Sequence, residues 1–500
     1  MFVLLLLVQA TVLLGGALYL GSKVIVANYI IGIGTVLILI YLLNARKDAN
    51  MKMTWIILIA SVPLFGVVIF IYTRLQPGTR NRSVRLTQLM DEQRQYLAPR
   101  REVTEYEMLH VRQEYGLFKY IYEGGGYPSY QNASVRYFPL GEDKFEEMLK
   151  QLERAEDFIF MEYFIIDKGE MWDAVFRILK KKAAQGVEVR LMYDGTCNLS
   201  LLPRKFPRQM EECGIRCKVF SPMVPFLSTH QNNRDHRKVL VIDGRVAFTG
   251  GVNIADEYIN RKVRFGHWKD TAIMVEGRAV DSFTLMFLQM WNMDGSAREN
   301  YMRYIIASDD DIDEGMHRGG LIAPYGDSPL DLEEVGEKVY LDIINRAQDH
   351  VHIMTPYLIL SETMLHTLKF AAQRGIDVKL ILPHVPDKKY AYFLARTYYE
   401  ELITSGVKLY EYTPGFVHAK VFVSDDIRAV VGTINLDYRS LYLHFECAAY
   451  IFDNPVVADI EKDFDRTEEL CERITLENWR RYSPAGKIAG RALRIVAPLM

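Results

Sequence analysis

The chain has 500 residues, a formal net charge of −3 and five cysteines, a length that suits about two to four domains with a sizeable core. The near balance of 60 basic and 63 acidic residues argues against the basic footprint that nucleic acid requires. Cysteines at 197, 213, 217, 447 and 471 have no framework spacing, which excludes a disulfide scaffold and suits free thiols in a reducing compartment or small buried hydrophobes.

In chain order, Met1–Leu20, Val24–Leu43 and Thr54–Thr73 carry no charge, and each has about the 20 residues that cross a hydrocarbon core. No basic n-region or cleavage site precedes a soluble domain, so residues 1–75 are expected to form a membrane anchor of two or three transmembrane helices. Arg46, Lys47 and Lys52 precede the last run, and Arg74, Arg80, Arg82 and Arg85 follow it. The larger second cluster favours a multi-pass protein of the cell membrane with a cytoplasmic catalytic region. Residues 76–135 are charged and Tyr-rich, with Gly124–Gly126 and Pro128 as breakers, and read as a juxtamembrane linker with some helix over Arg85–Tyr96.

Residues 136–320 then alternate helix and strand: apolar residues at helical spacing in Lys144–Glu153, a strand Phe158–Ile166, a helix through Ala183, a strand Val187–Tyr193. Residues 321–500 repeat the order, with a helix over Asp331–Ala347 and strands Val351–Met354 and Ile376–Leu382. Gly186-Val-Glu-Val-Arg-Leu191 and Gly375-Ile-Asp-Val-Lys-Leu380 are the same phrase. Two α/β layered domains with mixed sheets follow from this alternation. The tail from Trp479 to Met500 is basic with Ile488, Leu493 and Ile495, suited to an anionic bilayer or to docking on the catalytic body.

One pattern occurs twice: H-x-K-x4-D at His236, Lys238 and Asp243, and again at His418, Lys420 and Asp425. Gly250 and Asn253 follow in the first copy, and Gly432 and Asn435 in the second, each displaced by the same 182 positions (418 against 236, 435 against 253). Such register marks a duplicated half-site. The period of two in Arg237–Ile242 and Ala419–Ser424 puts His and Lys on one strand face. The aspartates fall at odd spacing in turn dipeptides, Asp243-Gly244 and Asp425-Asp426, and read as structural. Small residues at the end of the returning strand would let backbone approach a ligand. Two His, two Lys and two Asn across a pseudo-twofold axis supply a nucleophile, a general acid/base and donors for anionic oxygens, a set suited to a phosphodiester. The set demands no metal or other cofactor, and no H-E-x-x-H or C-x-x-C occurs. Glu162-Tyr163 and Pro356-Tyr357 end corresponding strands and either line the cleft or pack there. Glu257, Tyr438 and Arg439 follow the Asn positions and read by default as satisfied surface pairs, and Trp268, Trp291 and Trp479 read as core anchors.

Asn232–Tyr258 and Gly432–Ser440 resemble the phospholipase D superfamily, and in particular its bacterial cardiolipin synthase branch, over about residue 52 to the end. The resemblance implies two tandem phospholipase D-like α/β/α domains with mixed sheets related by a pseudo-twofold axis, preceded by transmembrane helices. It implies a catalytic set of His236, Lys238, Asp243, His418, Lys420 and Asp425, phosphate binding by Asn253 and Asn435, and a phosphohistidine on one motif histidine. His236 is assigned as nucleophile on this ground alone, with His418 as acid and base. A downstream carboxylate orients each imidazole in the family; chain position pairs Asp270 with His236 and Glu446 with His418. The implied reaction transfers a phosphatidyl group between two phosphatidylglycerols and releases glycerol. Hydrolysis, transfer to phosphatidylethanolamine or another alcohol, and a nuclease activity are the alternatives. The partners implied are anionic lipids of the membrane in which the protein is embedded, and no nucleic acid.

Overall fold

The computed structural model describes residues 22–45, 49–74, 77–223, 231–295, 299–306, 317–331 and 333–499. Its centre is two mixed sheets. The first has eight strands in the spatial order His317–Arg318, Ser134–Phe138, Ala272–Glu276, Val246–Gly250, Lys238–Ile242, Phe158–Tyr163, Glu188–Asp194 and Arg216–Phe220. The second has nine: Tyr130–Gln131, Leu321–Asp327, Glu446–Phe452, Arg428–Gly432, Val421–Ser424, His350–Met354, Asp377–Pro383, Lys408–Tyr412 and Cys471–Ile474. In both sheets the motif strand pairs antiparallel with its hairpin partner on one side and with the first βα strand on the other. That equivalence is the pseudo-symmetry expected from the repeat.

Strand alternation sorts the side chains into layers. Val239, Val241, Ala247, Ile273 and Val275 of the first sheet share one buried cluster with Val421, Val423, Ala429, Val431 and Ala449 of the second, so the sheets meet face to face. The intervening residues point outward: Leu240, Ile242 and Phe248 lie in a cluster with the helices Gly141–Arg154 and Glu170–Ala184. Phe422, Val430 and Tyr450 do the same with Val335–Arg346 and Glu362–Gln373. Burial on both faces explains why these strands read as unbroken apolar runs.

Three expectations change. The run Thr54–Thr73 is not one span: it forms two helices, α2 (Ala49–Ser61) and α3 (Pro63–Arg74), broken at Pro63 and following α1 (Ser22–Asn44). Proline lacks the N–H that would continue the helix. The Trp55 and Phe70 rings lie 5.3 Å apart, so α3 folds back along α2. Among the described residues no helix is long and apolar enough to cross a membrane; Met1–Leu20 lies outside them, as do several side chains of Val24–Leu43.

Residues 76–135 are not a linker. The helices Arg101–His110 and Arg112–Gly125 place Val103, Leu117, Phe118 and Ile121 in the core of the second domain, where buried Glu114 holds Arg428 Nε at 2.9 Å and accepts from Tyr450. The domain boundaries also interlace, because Tyr130–Gln131 pairs with Leu321–Asp327 while His317–Arg318 pairs with Ser134–Phe138. The tail docks on the catalytic body: Trp479 donates to the Arg396 carbonyl at 3.1 Å, and Arg494 lies over the Tyr398 ring at 4.5 Å.

Candidate active site

The two domains exchange backbone at the site. The His236 N–H donates to the Phe445 carbonyl at 2.9 Å, and the His418 N–H donates to the Lys269 carbonyl at 2.7 Å. Each motif histidine is therefore stitched to a segment of the opposite half, and the next residue of that segment is a carboxylate. His236 Nδ1 meets Glu446 at 2.9 Å, and His418 Nδ1 meets Asp270 Oδ2 at 2.6 Å. The carboxylates pair across the interface, the reverse of the assignment by chain position, because the bridge joins 236 to 445 and 418 to 269. A carboxylate on Nδ1 fixes the ring and leaves Nε2 as the reactive nitrogen.

All four groups are buried. Burial, helped by Lys238, holds His236 well below the ordinary imidazole range, while burial pushes Glu446 up to about 8. This pair thus favours uncharged forms. Burial and Lys420 lower His418 to about 4, with Asp270 opposing them. The lysines are also lowered by burial, Lys238 to about 8 and Lys420 to about 7. Each ammonium donates to the carbonyl of its own motif histidine, and Lys420 Nζ also lies 2.9 Å from His418 Nδ1.

The remaining motif residues divide. Asp243 and Asp425 leave the catalytic set: each lies in the turn beyond its strand, about 16 Å from the motif lysine by strand rise. Asp243 accepts the backbone N–H groups of Glu156, Asp157 and Phe158, all at 2.8 Å, and Asp425 those of Gln348, Asp349 and His350. Both have positive φ, 51° and 54°, which aspartate tolerates in turns. Asn253 is committed to the fold, accepting from Ile165 N–H at 3.0 Å and donating to Tyr258 at 2.8 Å. Asn435 Oδ1 is buried without a partner among the described residues. The glycines serve the sheet rather than a ligand: a Cβ on Gly250 would strike Ala272, and one on Gly432 would strike Ala448.

Other residues around the imidazoles escaped sequence reasoning. Phe164 and His444 flank His236 at 4.9 and 5.6 Å between ring centroids. Tyr258, Trp268 and Phe416 enclose His418 at 5.5, 5.3 and 5.8 Å, so Trp268 is a site wall as well as a core anchor. Neither ring nitrogen of buried His444 has a hydrogen-bond partner among the described residues, although Nδ1 lies 3.9 Å from Glu446 Oε1; its one sequence signal is the spacing of two from Glu446. Thr433 donates to Glu446, and Arg237 is held by Glu162 at 2.8 Å beneath His236. Glu162 therefore supports the site rather than lining it, and Glu257 is paired with Arg264 at 2.9 Å. His236, His444 and Glu446 offer ligand atoms within 4.8 Å of one another, although the His236–Glu446 contact is already a complete hydrogen bond. Beside His418 a shallow cleft is lined by Tyr357, Asp387, Lys388, Ala391, Tyr392 and Phe416 among others.

A family model described as "Cardiolipin synthase, PLD-like domain" matches residues 148–291 and 340–467. An uncharacterized protein of Streptococcus mutans is 49% identical, covering 94% of this chain and 100% of that protein. A cardiolipin synthase of Clostridium perfringens is 32% identical, covering 91% of this chain and 95% of its own length. Among solved structures, phosphatidylserine synthase of Haemophilus influenzae superposes with a TM-score of 0.55 over 76% of this chain and 97% of that one, at 15% identity. That similarity concerns the fold alone.

Proposed function

The chain belongs to the cardiolipin synthase branch of the phospholipase D superfamily and is a phosphatidyltransferase, and on that premise we propose that it joins two phosphatidylglycerols into cardiolipin and glycerol. His236 Nε2 attacks the donor phosphorus while His418 Nε2 protonates the departing glycerol oxygen, leaving a phosphatidyl-histidine. The terminal hydroxyl of the second lipid, deprotonated by His418, then displaces His236. One phosphodiester replaces another, so no nucleotide donor is needed. Lys238, Lys420 and Asn435 face the nonbridging oxygens, and burial strengthens their electrostatic hold. The observation that carries this reading is the crossed arrangement of two buried imidazoles, each bonded at Nδ1 to a carboxylate of the other half.

The N-terminal helices supply a route for lipid. α1–α3 expose Ile33, Val36, Leu37, Ile40 and Val68, an apolar surface that seats on a bilayer with the catalytic domains on the cytoplasmic side. Asn50 of α2 donates to Tyr438 at 2.6 Å, and Met51 packs against a cluster that includes Tyr438 and Ala391, the latter also lining the cleft beside His418.

The test is to incubate the full-length enzyme with phosphatidylglycerol alone and to measure glycerol, phosphatidic acid and cardiolipin. Equal glycerol and cardiolipin are expected. Phosphatidic acid as the main product would make the protein a hydrolase, and a requirement for phosphatidylethanolamine would change the acceptor.

A further inference from the structure

We propose that the second domain holds a divalent transition-metal site at the end of its sheet away from the catalytic histidines, formed by His350, His352 and Glu461. His350 and His352 are two apart on the strand His350–Met354, so both imidazoles emerge on one face. The helix Val456–Glu468 brings Glu461 to that face. His350 Nε2 lies 3.6 Å from Glu461 Oε2, and His352 Nδ1 lies 2.5 Å from Glu461 Oε1. The potential ligand atoms of the three residues all fall within 4.8 Å of one another. A tetrahedral ion with bonds of about 2.0–2.2 Å spaces neighbouring ligand atoms about 3.3–3.5 Å apart. The His350 spacing already suits it, and the His352 contact opens by about 1 Å when metal replaces the proton between the two groups.

The orphaned atoms point the same way. His350 Nε2 and Glu461 Oε2 are buried and face each other at 3.6 Å, beyond hydrogen-bond distance and with no other hydrogen-bond partner among the described residues, and His352 is only 6% exposed. Two buried polar atoms that face each other without bonding require an explanation, and an ion between them supplies one. The rings are held ready: His350 stacks on His352 at 4.6 Å, and His352 stacks on Phe464 at 4.6 Å. Asp426 Oδ1, 3.9 Å from His350 Nε2, or a water completes the coordination. Two imidazoles and a carboxylate select zinc or a similar first-row ion over magnesium or calcium.

The cluster takes no part in the transfer reaction. His350 sits beside the turn of Asp425, whereas Lys420 lies at the other end of the neighbouring motif strand, about 16 Å away by strand rise. Its effect is mechanical. Asp463, on the same helix as Glu461, holds Lys269 at 2.6 Å and accepts from Tyr137 at 2.6 Å, both in the first domain. An ion joining that helix to the second sheet therefore braces the domain interface next to Asp270.

The experiment titrates metal-free full-length protein with Zn2+, and with Co2+ for its visible absorption, while following the melting temperature. Saturable binding of one ion at this cluster is expected, with a rise in melting temperature of several degrees that Mg2+ does not reproduce. H352Q and E461Q, which remove proposed ligands, should weaken binding by more than the roughly hundredfold loss that removal of an outer-shell partner causes and should abolish the thermal shift; H350Q, at the more exposed ring, serves if either fails to fold. His444→Ala should leave this binding intact, since it removes only the other cluster. Absence of saturable binding, or binding indifferent to H350Q and H352Q but lost in H444A, would overturn the proposal.

Discussion

The two half-sites share a backbone and differ in what surrounds it. Gly251 and Thr433 hold equivalent positions 182 residues apart. A Cβ on Gly251 would collide with the Asp270 carboxylate, whereas the Thr433 hydroxyl donates to Glu446. Trp268 and His444, each two residues before a carboxylate, flank opposite imidazoles, so His418 faces an indole where His236 faces a second imidazole. Asn253 is consumed by Ile165 and Tyr258, while Asn435 Oδ1 is unpartnered among the described residues. Duplication thus fixed where the two imidazoles stand, and their neighbours diverged, which under the proposed mechanism gives the halves different work. Neither half is complete alone, because each imidazole draws its carboxylate from the other.

The comparison breaks first at the histidines. His236→Ala and His418→Ala should each lower kcat by about 10⁴-fold or more, with the double variant little worse, because groups acting as a unit lose activity non-additively. A single variant retaining a substantial fraction of wild-type turnover would refute a two-histidine mechanism. The carboxylates sharpen the comparison, with losses of about 10²- to 10⁴-fold. With a donor whose leaving group needs no protonation and alkaline quenching, Asp270→Asn should accumulate labelled phosphatidyl-enzyme, since it disables His418; Glu446→Gln should fail to form it. The opposite pattern would place the nucleophile on His418.

The asparagines should separate next. Asn435→Ala is expected to cost about 10²-fold in kcat/KM, whereas Asn253→Ala should mainly lower the melting temperature. Comparable kinetic losses in both would show that the two amides are equivalent. The pH profile gives a smaller effect. Lowered pKa values mean that the lysines lose charge on the alkaline side, so kcat/KM should fall as pH rises through about 7 to 8, where Lys420 and Lys238 deprotonate. On the acid side the depressed His236 stays neutral and ready to attack, so no acid limb from the nucleophile is expected at the ordinary imidazole value of about 6.5. A limb there would show that solvent reaches the imidazoles. Smallest in kinetic effect is Asp243→Asn, which weakens three backbone hydrogen bonds and should cost about 1–3 kcal/mol of stability while leaving turnover per folded molecule nearly unchanged. Chemical denaturation beside a specific-activity assay decides it.

The sequence alone determined the main strands of both halves and the motif hairpins, because burial on both faces and the period of two are local properties. Phe158–Ile166, Val187–Tyr193 and their repeats are legible as strands, and the constant offset of 182 announced two halves. It also put His and Lys on one face and the motif aspartates in turns. Tertiary structure decided what depends on contacts between distant segments. Which carboxylate serves which imidazole follows from the bridges 236–445 and 418–269, which no spacing within one half encodes. That residues 101–125 belong to the second domain follows from where Leu117, Phe118 and Glu114 find partners. The fold-back at Pro63 depends on Trp55 meeting Phe70; composition counts the apolar residues of that run but not its direction. Local patterning selects secondary structure and facing, while the choice among equally apolar or acidic partners is made only when the chain closes on itself.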